Sequence, residues 1–143
     1  MNVTIDASVW LAALSAGEPH HERAASLISA LAAREVQLHQ PGLFIIEVCA
    51  TIARRTRNRA LALAVGRTTL ATRGLVIHEL DHRLAAAAAD VAATCALRGA
   101  DAVYVATAQR AASTFVTLDR EVLDRARSVV TVRTPAEWLT EMA

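Results

Sequence analysis

The chain has 143 residues, of which 54% are hydrophobic and 20% charged, and its formal net charge is +1. This length fits one domain with a sizeable core, and the composition is that of a globular protein and excludes a disordered one. The nearly neutral charge argues against a surface that is basic throughout, and the lack of a long apolar run argues against a membrane span, so we expect a soluble, cytoplasmic protein.

The first stretch of the chain predicts a strand that ends at an acid and leads into a helix. Residues 3–5 form an apolar, β-branched run, Asp6 follows it directly, and a helix begins near Ser8 and ends at Gly17. In open α/β sheets, ligands bind outside the carboxyl ends of the strands. Asp6 therefore stands where a functional acid is expected.

Strands and helices alternate along the rest of the chain. The pattern predicts further strands at 36–40, 75–79, 114–118 and 129–132. It predicts helices at 43–59, 60–73, 81–98, 101–112 and 120–125, one that begins near Pro19, and a last one capped at Thr134. The helix at 60–73 is expected to be interrupted or to end near Gly66 and Gly74. Strands separated by helices imply right-handed crossovers, so we predict a central, mostly parallel five-stranded sheet with helices on both faces.

Four acids have positions that favour one shared site. Asp119 follows the strand at 114–118 as Asp6 follows the first strand, so two strands deliver one acid each to the same edge of the sheet. Glu47 lies within an apolar helical run, and Asp101 opens a helix. Carboxylates buried together would protonate unless their charge is compensated. A hard divalent cation with oxygen ligands is the usual compensation.

Each of these acids also has a purely structural explanation. Asp6, Asp101 and Asp119 precede helices, where aspartate is favoured as an N-cap and by the helix dipole. Glu47 lies in the middle of a helix, where an acid is rarely buried unless it is paired, and a salt bridge to a nearby arginine is the alternative. The joint occurrence of all four acids in these elements favours the metal site.

Four motifs, taken in order, resemble those of the PIN-domain nucleases, and among them the VapC-type toxins of bacterial toxin–antitoxin pairs. They are Ile-Asp-Ala-Ser-Val-Trp-Leu at 5–11, Glu47 on a helix after Pro41, Ala-Asp-Ala-Val-Tyr-Val-Ala-Thr-Ala at 100–108, and Thr-Leu-Asp at 117–119. The resemblance covers essentially the whole chain. It implies a single PIN domain over residues 1–143, folded as an α/β/α sandwich.

The resemblance also implies an activity, a metal and partners. It implies an endoribonuclease that holds Mg²⁺ or Mn²⁺ through an acidic quartet, which matches Asp6, Glu47, Asp101 and Asp119. Ser8 and Thr117 match the hydroxyl positions beside the first and last acids, and no acidic position departs from the family's pattern. The implied partners are an RNA substrate, a cognate antitoxin that covers the carboxylate cleft, and a second copy of the chain in a homodimer.

A basic run at 54–59 lies at the end of the Glu47 helix. At 100° per residue, Arg54 falls near the Glu47 face because it stands seven positions further on. We expect it to meet the RNA backbone, or an acidic or C-terminal group of an inhibitor. The alternative is the favourable interaction of arginine with a helix C-terminus, together with simple solubility, and this is the explanation we prefer for Arg57 and Arg59.

Two other functions are compatible with the pattern. A PIN-like nuclease that processes RNA or trims DNA flaps without an antitoxin would use the same acids, and a neighbouring small reading frame with a DNA-binding N-terminus would distinguish the two. A non-catalytic signalling module of the receiver type also places acids at the strand ends of a doubly wound sheet. Such a module normally has an early acidic pair and a late lysine, whereas Asp6 has no acidic neighbour and the chain contains no lysine.

Overall fold

A five-stranded sheet forms the centre of the computed structural model, which describes residues 1–143. The strands are β1 (Asn2–Ile5), β2 (Gln37–Pro41), β3 (Leu75–His78), β4 (Thr114–Val116) and β5 (Val132–Arg133). They are ordered β3-β2-β1-β4-β5, and every neighbouring pair is parallel. This confirms the predicted α/β class with its five-stranded, parallel sheet.

Eight helices surround the sheet. They are α1 (Ala7–Leu14), α2 (His21–Ala33), α3 (Leu43–Thr56), α4 (Arg59–Leu70), α5 (His82–Cys95), α6 (Gly99–Arg110), α7 (Arg120–Arg125) and α8 (Pro135–Glu141). Parallel neighbours need crossover connections, and each connection between consecutive strands contains at least one of these helices. None of the helices has the length and apolar character needed to cross a membrane.

The central strand β1 is covered on both faces. Val3, Thr4 and Ile5 are all fully buried, although their side chains alternate between the two sides of the sheet. Burial on both faces is typical of parallel sheets with helices on either side. The acid that follows β1 is therefore held on a rigid and well-packed element.

Strands β1 and β4 are neighbours in the sheet, and their pairing positions the acids. Ile5 is in register with Val116, and the Asp6 backbone N–H donates to the Val116 carbonyl at 2.9 Å. The residues that follow the two strands therefore lie side by side at the carboxyl edge of the sheet. This confirms the prediction that β1 and β4 lead to the same edge.

The predicted helix at 43–59 is shorter than expected. Helix α3 ends at Thr56 because Arg57 takes a left-handed conformation with φ 53°, and its N–H bonds to the Ala53 carbonyl. The Asn58 side chain then accepts from the Leu61 N–H and caps α4. A cap one residue after a left-handed turn starts the next helix at Arg59, one residue before the predicted start at 60.

Two further predicted features differ in the structure. Gly66 does not interrupt its helix, because it is the point where α4 packs against α3, and a Cβ there would collide with Cys49 Sγ. The last strand was predicted at 129–132 and covers only Val132 and Arg133. The backbone N–H groups of Val129 and Val130 both bond to the Ala126 carbonyl, so these β-branched residues form a turn after α7.

Candidate functional site

Asp6 is fixed through both of its carboxylate oxygens. It is the N-cap of α1, and Oδ1 accepts from the Ser8 backbone N–H at 3.1 Å. Oδ2 accepts from the Thr117 hydroxyl at 3.0 Å. Thr117 is fully buried, so its hydroxyl is held in place by the surrounding core. The predicted capping role of Asp6 is confirmed, and the carboxylate is oriented by two separate elements of the sheet edge.

Thr117 also connects Asp6 to Asp119. The Asp119 backbone N–H donates to Thr117 Oγ1 at 3.1 Å, while the Thr117 hydroxyl proton goes to Asp6. Asp119 is the N-cap of α7, and its Oδ1 accepts from the N–H groups of Glu121 at 2.8 Å and Val122 at 3.3 Å. This confirms the predicted cap, and it leaves Oδ2 of Asp119 without a helix partner.

Asp101 has a different position from the one expected. Helix α6 begins at Gly99, its N-cap residue is Arg98, and no side chain caps this end. The explanation of Asp101 as an N-cap is therefore wrong, because the helix starts two residues earlier and places Asp101 in the first turn. The helix dipole still favours an acid there. No capping bond, however, accounts for its carboxylate.

The charge of Asp101 is affected by all three of the other acids. Partial burial raises its pKa most, the carboxylates of Asp6, Asp119 and Glu47 raise it further, and Arg98 opposes them, so that the pKa of Asp101 reaches about 6. A carboxyl that is repelled by three others lies within electrostatic reach of each of them. The fold therefore brings the four predicted acids into one electrostatic environment.

Glu47 is held by a tyrosine rather than by an arginine. The hydroxyl of Tyr104, on α6, donates to Glu47 Oε2, and no salt bridge involves Glu47. Burial raises the pKa of Glu47, the bond from Tyr104 lowers it, and the charge of Asp6 raises it. The alternative of a structural salt bridge for Glu47 is therefore wrong.

Tyr104 belongs to this site, although its place in the apolar helix after Asp101 predicts only a role in the core. Its ring is buried and stacks on Phe115 with the ring centroids 6.0 Å apart, while its hydroxyl reaches Glu47. A buried tyrosine hydroxyl usually finds a polar partner. The signal that could have suggested such a partner is a single tyrosine among alanine and valine residues.

A polar cleft of about 540 Å³ opens beside part of the quartet. Four of the predicted site residues line it: Asp6, Ser8, Glu47 and Arg54. Asp101 and Asp119 lie outside its walls. The cleft is also lined by polar residues that the sequence did not single out, namely Glu18, His20, Thr51 and Arg55. Glu18 and His20 belong to the connection between α1 and α2, and only the crossover brings this connection next to α3.

The donor atoms at this edge fit a hard divalent cation. No three acidic, histidine or cysteine side chains converge closely enough in the structure to hold one ion. Mg²⁺, however, is commonly bound through one or two carboxylates while it keeps several waters. The four carboxylates supply only oxygen ligands, and the raised pKa of Asp101 reflects its partial burial together with the negative charge of its neighbours, which Arg98 does not offset. Compensation by a cation is the chemistry that this donor set suits.

The fold and the site together define an α/β/α domain with an acidic centre at the carboxyl edge of a parallel sheet. The profile of the PIN domain family matches residues 3–128. The chain therefore belongs to the PIN domain family, which confirms the resemblance carried by its four acidic motifs. No curated protein sequence matches the chain.

Solved structures of similar fold come from several bacteria. A chain of FitAcB from Neisseria gonorrhoeae is 20% identical, with a TM-score of 0.70 over 94% of this chain and 98% of that one. VapC20 from Mycobacterium tuberculosis, described as a Sarcin-Ricin loop cleaving toxin, is 19% identical, with a TM-score of 0.69 over 90% and 96%. A chain of VapBC2 from Rickettsia felis, solved with a promoter DNA fragment, is 10% identical, with a TM-score of 0.70 over 94% and 98%. At these identities the likeness shows a shared fold.

Proposed function

We propose that this protein is a metal-dependent endoribonuclease and the toxin of a toxin–antitoxin pair. The observation that carries the proposal is the electrostatic coupling of Asp101 to Asp6, Glu47 and Asp119, which collects four partly exposed carboxylates at one sheet edge. Membership of the PIN domain family supports a nuclease. The likeness in fold to VapC20, a Sarcin-Ricin loop cleaving toxin, supports RNA as the substrate class.

In this proposal the acids hold Mg²⁺ or Mn²⁺. Asp6 and Asp101 are its direct ligands, and Glu47 and Asp119 complete the coordination or hold its bound waters. When bound, the cation supplies charge relief on the phosphate oxygens and makes a bound water more acidic. Cleavage of a phosphodiester needs both effects, and no histidine, lysine or cysteine nucleophile is then required.

The neighbouring side chains have positioning and substrate roles. Thr117 is fully buried, so we assign it to orienting Asp6 rather than to contact with RNA. Tyr104 orients Glu47 in the same way. Ser8 is exposed in the cleft and Arg54 lines the same cleft, so these two are the residues that we assign to the substrate.

The test is cleavage of mixed cellular RNA by the purified protein and by an Asp6→Asn variant, with Mn²⁺, with Mg²⁺ and with chelator. Asparagine retains the capping oxygen, and its NH2 group can donate to Thr117 Oγ1 in place of the acceptor that is lost, so the variant is expected to fold. We expect cleavage only by the unmodified chain and only with added metal. Equal cleavage by Asp6→Asn, or cleavage in chelator, would exclude the proposed mechanism.

The proposed partners are an antitoxin that covers the cleft and a second copy of the chain in a homodimer. Several structures of similar fold are toxin–antitoxin complexes, including one from Klebsiella pneumoniae. We expect induction of the chain to arrest growth in the cytoplasm of a bacterial host, and Asp6→Asn to relieve the arrest. Co-expression of the protein encoded by the adjacent small reading frame should also relieve it. A nuclease without an antitoxin would show neither arrest nor relief, and light scattering of the purified chain tests the dimer.

A further inference from the structure

The C-terminal end of α3 carries two arginines without an acidic partner, Arg54 in the last turn and Arg57 at the C-cap. Both are exposed and form no salt bridge, whereas Arg55 between them is paired with Glu18 at 2.5 Å. The pair of Arg55 and Glu18 ties α3 to the connection between α1 and α2. The free positive charge at this end of α3 therefore comes from Arg54 and Arg57, and Arg59 at the start of α4 adds to it.

These arginines lie in a groove that continues the carboxylate cleft. The cleft that contains Asp6 and Glu47 is joined to a second concavity. The two share three lining residues, Thr51, Arg54 and Arg55. That second concavity has no apolar wall, and its only lining residues are Thr51, Arg54, Arg55 and Arg57. A polar path thus runs along α3 from the acids to an arginine-lined end.

The spacing along α3 shows what length of ligand this path suits. At 1.5 Å per residue, Arg54 stands about 10 Å and Arg57 about 15 Å along the helix axis from Glu47. A phosphate at the acidic centre does not reach Arg57, because a separation of about 15 Å is longer than an arginine side chain. Only a ligand with further phosphates beyond the one at the acids can contact both ends of the path.

The backbone at Arg57 makes glycine a suitable substitution for testing its side chain. Its φ of 53° lies in the left-handed region, at a C-cap position where glycine is favoured. Glycine would hold this conformation without the steric cost that an arginine side chain adds. Glu35, Ala96 and Ala112 share the conformation, so it provides a matched control elsewhere in the chain and is not itself a sign of function.

We propose that Arg54 and Arg57 form a phosphate-binding subsite for the RNA strand beside the scissile linkage, a proposal that rests on the proposed nuclease function. The subsite binds the sugar–phosphate backbone, and phosphate contacts of this kind fix the position of a strand without carrying sequence information. It makes the enzyme prefer a strand that extends past the cleaved linkage over a dinucleotide. This replaces the simple helix-terminus explanation that the sequence favoured for Arg57.

The test measures binding and cleavage separately. A labelled single-stranded RNA of several nucleotides is bound in chelator, where it is not cleaved, across about 50 to 200 mM salt. We expect Arg54→Ala and Arg57→Gly each to reduce the slope of log affinity against log salt by about 0.7, the value for one phosphate contact with a single strand. In cleavage assays with Mn²⁺, both variants should show a higher KM for the long RNA at similar kcat, and Arg57→Gly should cleave a dinucleotide as the unmodified chain does.

Arg57→Gly and a matched control separate binding from folding. Ala96 is the left-handed C-cap of α5, with φ 51°, and lies on another helix. Both Arg57→Gly and Ala96→Gly should raise the melting temperature, because each relieves the same strain. Only Arg57→Gly should weaken RNA binding. Weakening by both variants, or by neither, would overturn the subsite.

The remaining outcomes distinguish this proposal from the proposed function. If Asp6→Asn abolishes cleavage while both arginine variants bind and cleave long RNA normally, the nuclease assignment stands and the subsite is rejected. If the arginine variants lose dinucleotide and long-RNA cleavage equally, the arginines act at the scissile linkage and the subsite is also rejected. If the variants instead lose only binding of an antitoxin, a protein partner occupies the groove, and the proposal for RNA is wrong.

Discussion

Two aspartates near helix N-termini have opposite electrostatic surroundings. Asp81 is the N-cap of α5, and it accepts from the Leu84 N–H at 2.7 Å and from both Nη atoms of Arg110 at 2.8 and 3.1 Å. These bonds lower the pKa of Asp81 to about 2. Asp101, at the start of the next helix, has no cap bond and is repelled by three carboxylates, and its pKa is raised to about 6.

The difference separates an acid with a structural role from one for which we propose a functional role. Asp81 has partners that stabilise its charge, so the fold gains from its ionisation. Asp101 has neighbours that oppose its charge, so the fold is destabilised by its ionisation unless a cation is bound. A carboxylate kept in unfavourable surroundings is a feature of functional sites, and this contrast is open to direct test.

The largest expected effect concerns activity. We expect Asp101→Asn to lower the rate of RNA cleavage by at least about a hundredfold, because a proposed metal ligand loses its charge. Asp81→Asn, the matched control, keeps the capping oxygen of α5 and should cleave RNA at nearly the normal rate. Rates are measured with saturating Mn²⁺ after circular dichroism has shown that both variants are folded. Equal rates for the two variants would remove the functional distinction between these acids.

The second effect concerns stability without metal. The unfolded chain ionises Asp101 near its ordinary pKa of 3.8 and the folded chain near 6, so the folded state holds the proton more tightly. The stabilising contribution of the protonated carboxyl is present below 3.8 and is lost as the pH rises through 6. In chelator near pH 7.5, the free energy of unfolding of Asp101→Asn should therefore be about 1 kcal/mol higher than that of the unmodified chain. This value allows for solvent screening of a partly exposed group.

Urea unfolding at several pH values provides the measurement. The advantage of Asp101→Asn should shrink towards zero near pH 4, where both chains are neutral at this position. With added Mn²⁺, the unmodified chain should become the more stable of the two, because the cation stabilises only the chain that binds it. An advantage that does not change with pH would mean that repulsion among the carboxylates is not its cause.

The smallest effect belongs to Asp81. Asp81→Ala removes the cap of α5 and both bonds to Arg110, and we expect the melting temperature to fall by about 3 °C. Asp81→Asn should cost less, because it keeps the cap and loses only the charged pair. The pKa of Asp81 is lowered, so its contribution should persist as the pH falls to its ordinary value of 3.8 and should be lost through about 2. Thermal unfolding followed by circular dichroism tests this, and equal melting temperatures for both variants would contradict the capping argument.

Most of the fold could be predicted because each strand and helix has a local signal. β-branched runs produced β1, β3 and β4, and alternation with helices predicted the parallel sheet that the structure has. The errors fall where local signals conflict with tertiary ones. The valines at 129 and 130 have the composition of a strand and form a turn, and Gly66 looks like a helix break and is a contact between helices.

The acids of the candidate site could be predicted from the sequence, but the residues that hold those acids in place could be predicted less well. The family motifs identified the acidic positions, and the caps formed by Asp6 and Asp119 follow from their place before helices. The bond from Tyr104 to Glu47 joins residues 57 positions apart in the chain, and the bond from Thr117 to Asp6 joins residues 111 apart. No local pattern contains such a pairing.

The sequence by itself determined which acids this protein has, which strands and helices carry them, and which family it belongs to, because these depend on residue type and local spacing. Tertiary structure decided which of those acids are stabilised and which repel one another. Asp81 and Asp101 are the same residue beside neighbouring helices, and only the packing of α5, α6 and the sheet edge supplies one with Arg110 and surrounds the other with carboxylates. Charge interactions depend on distance through space, which the order of residues does not specify.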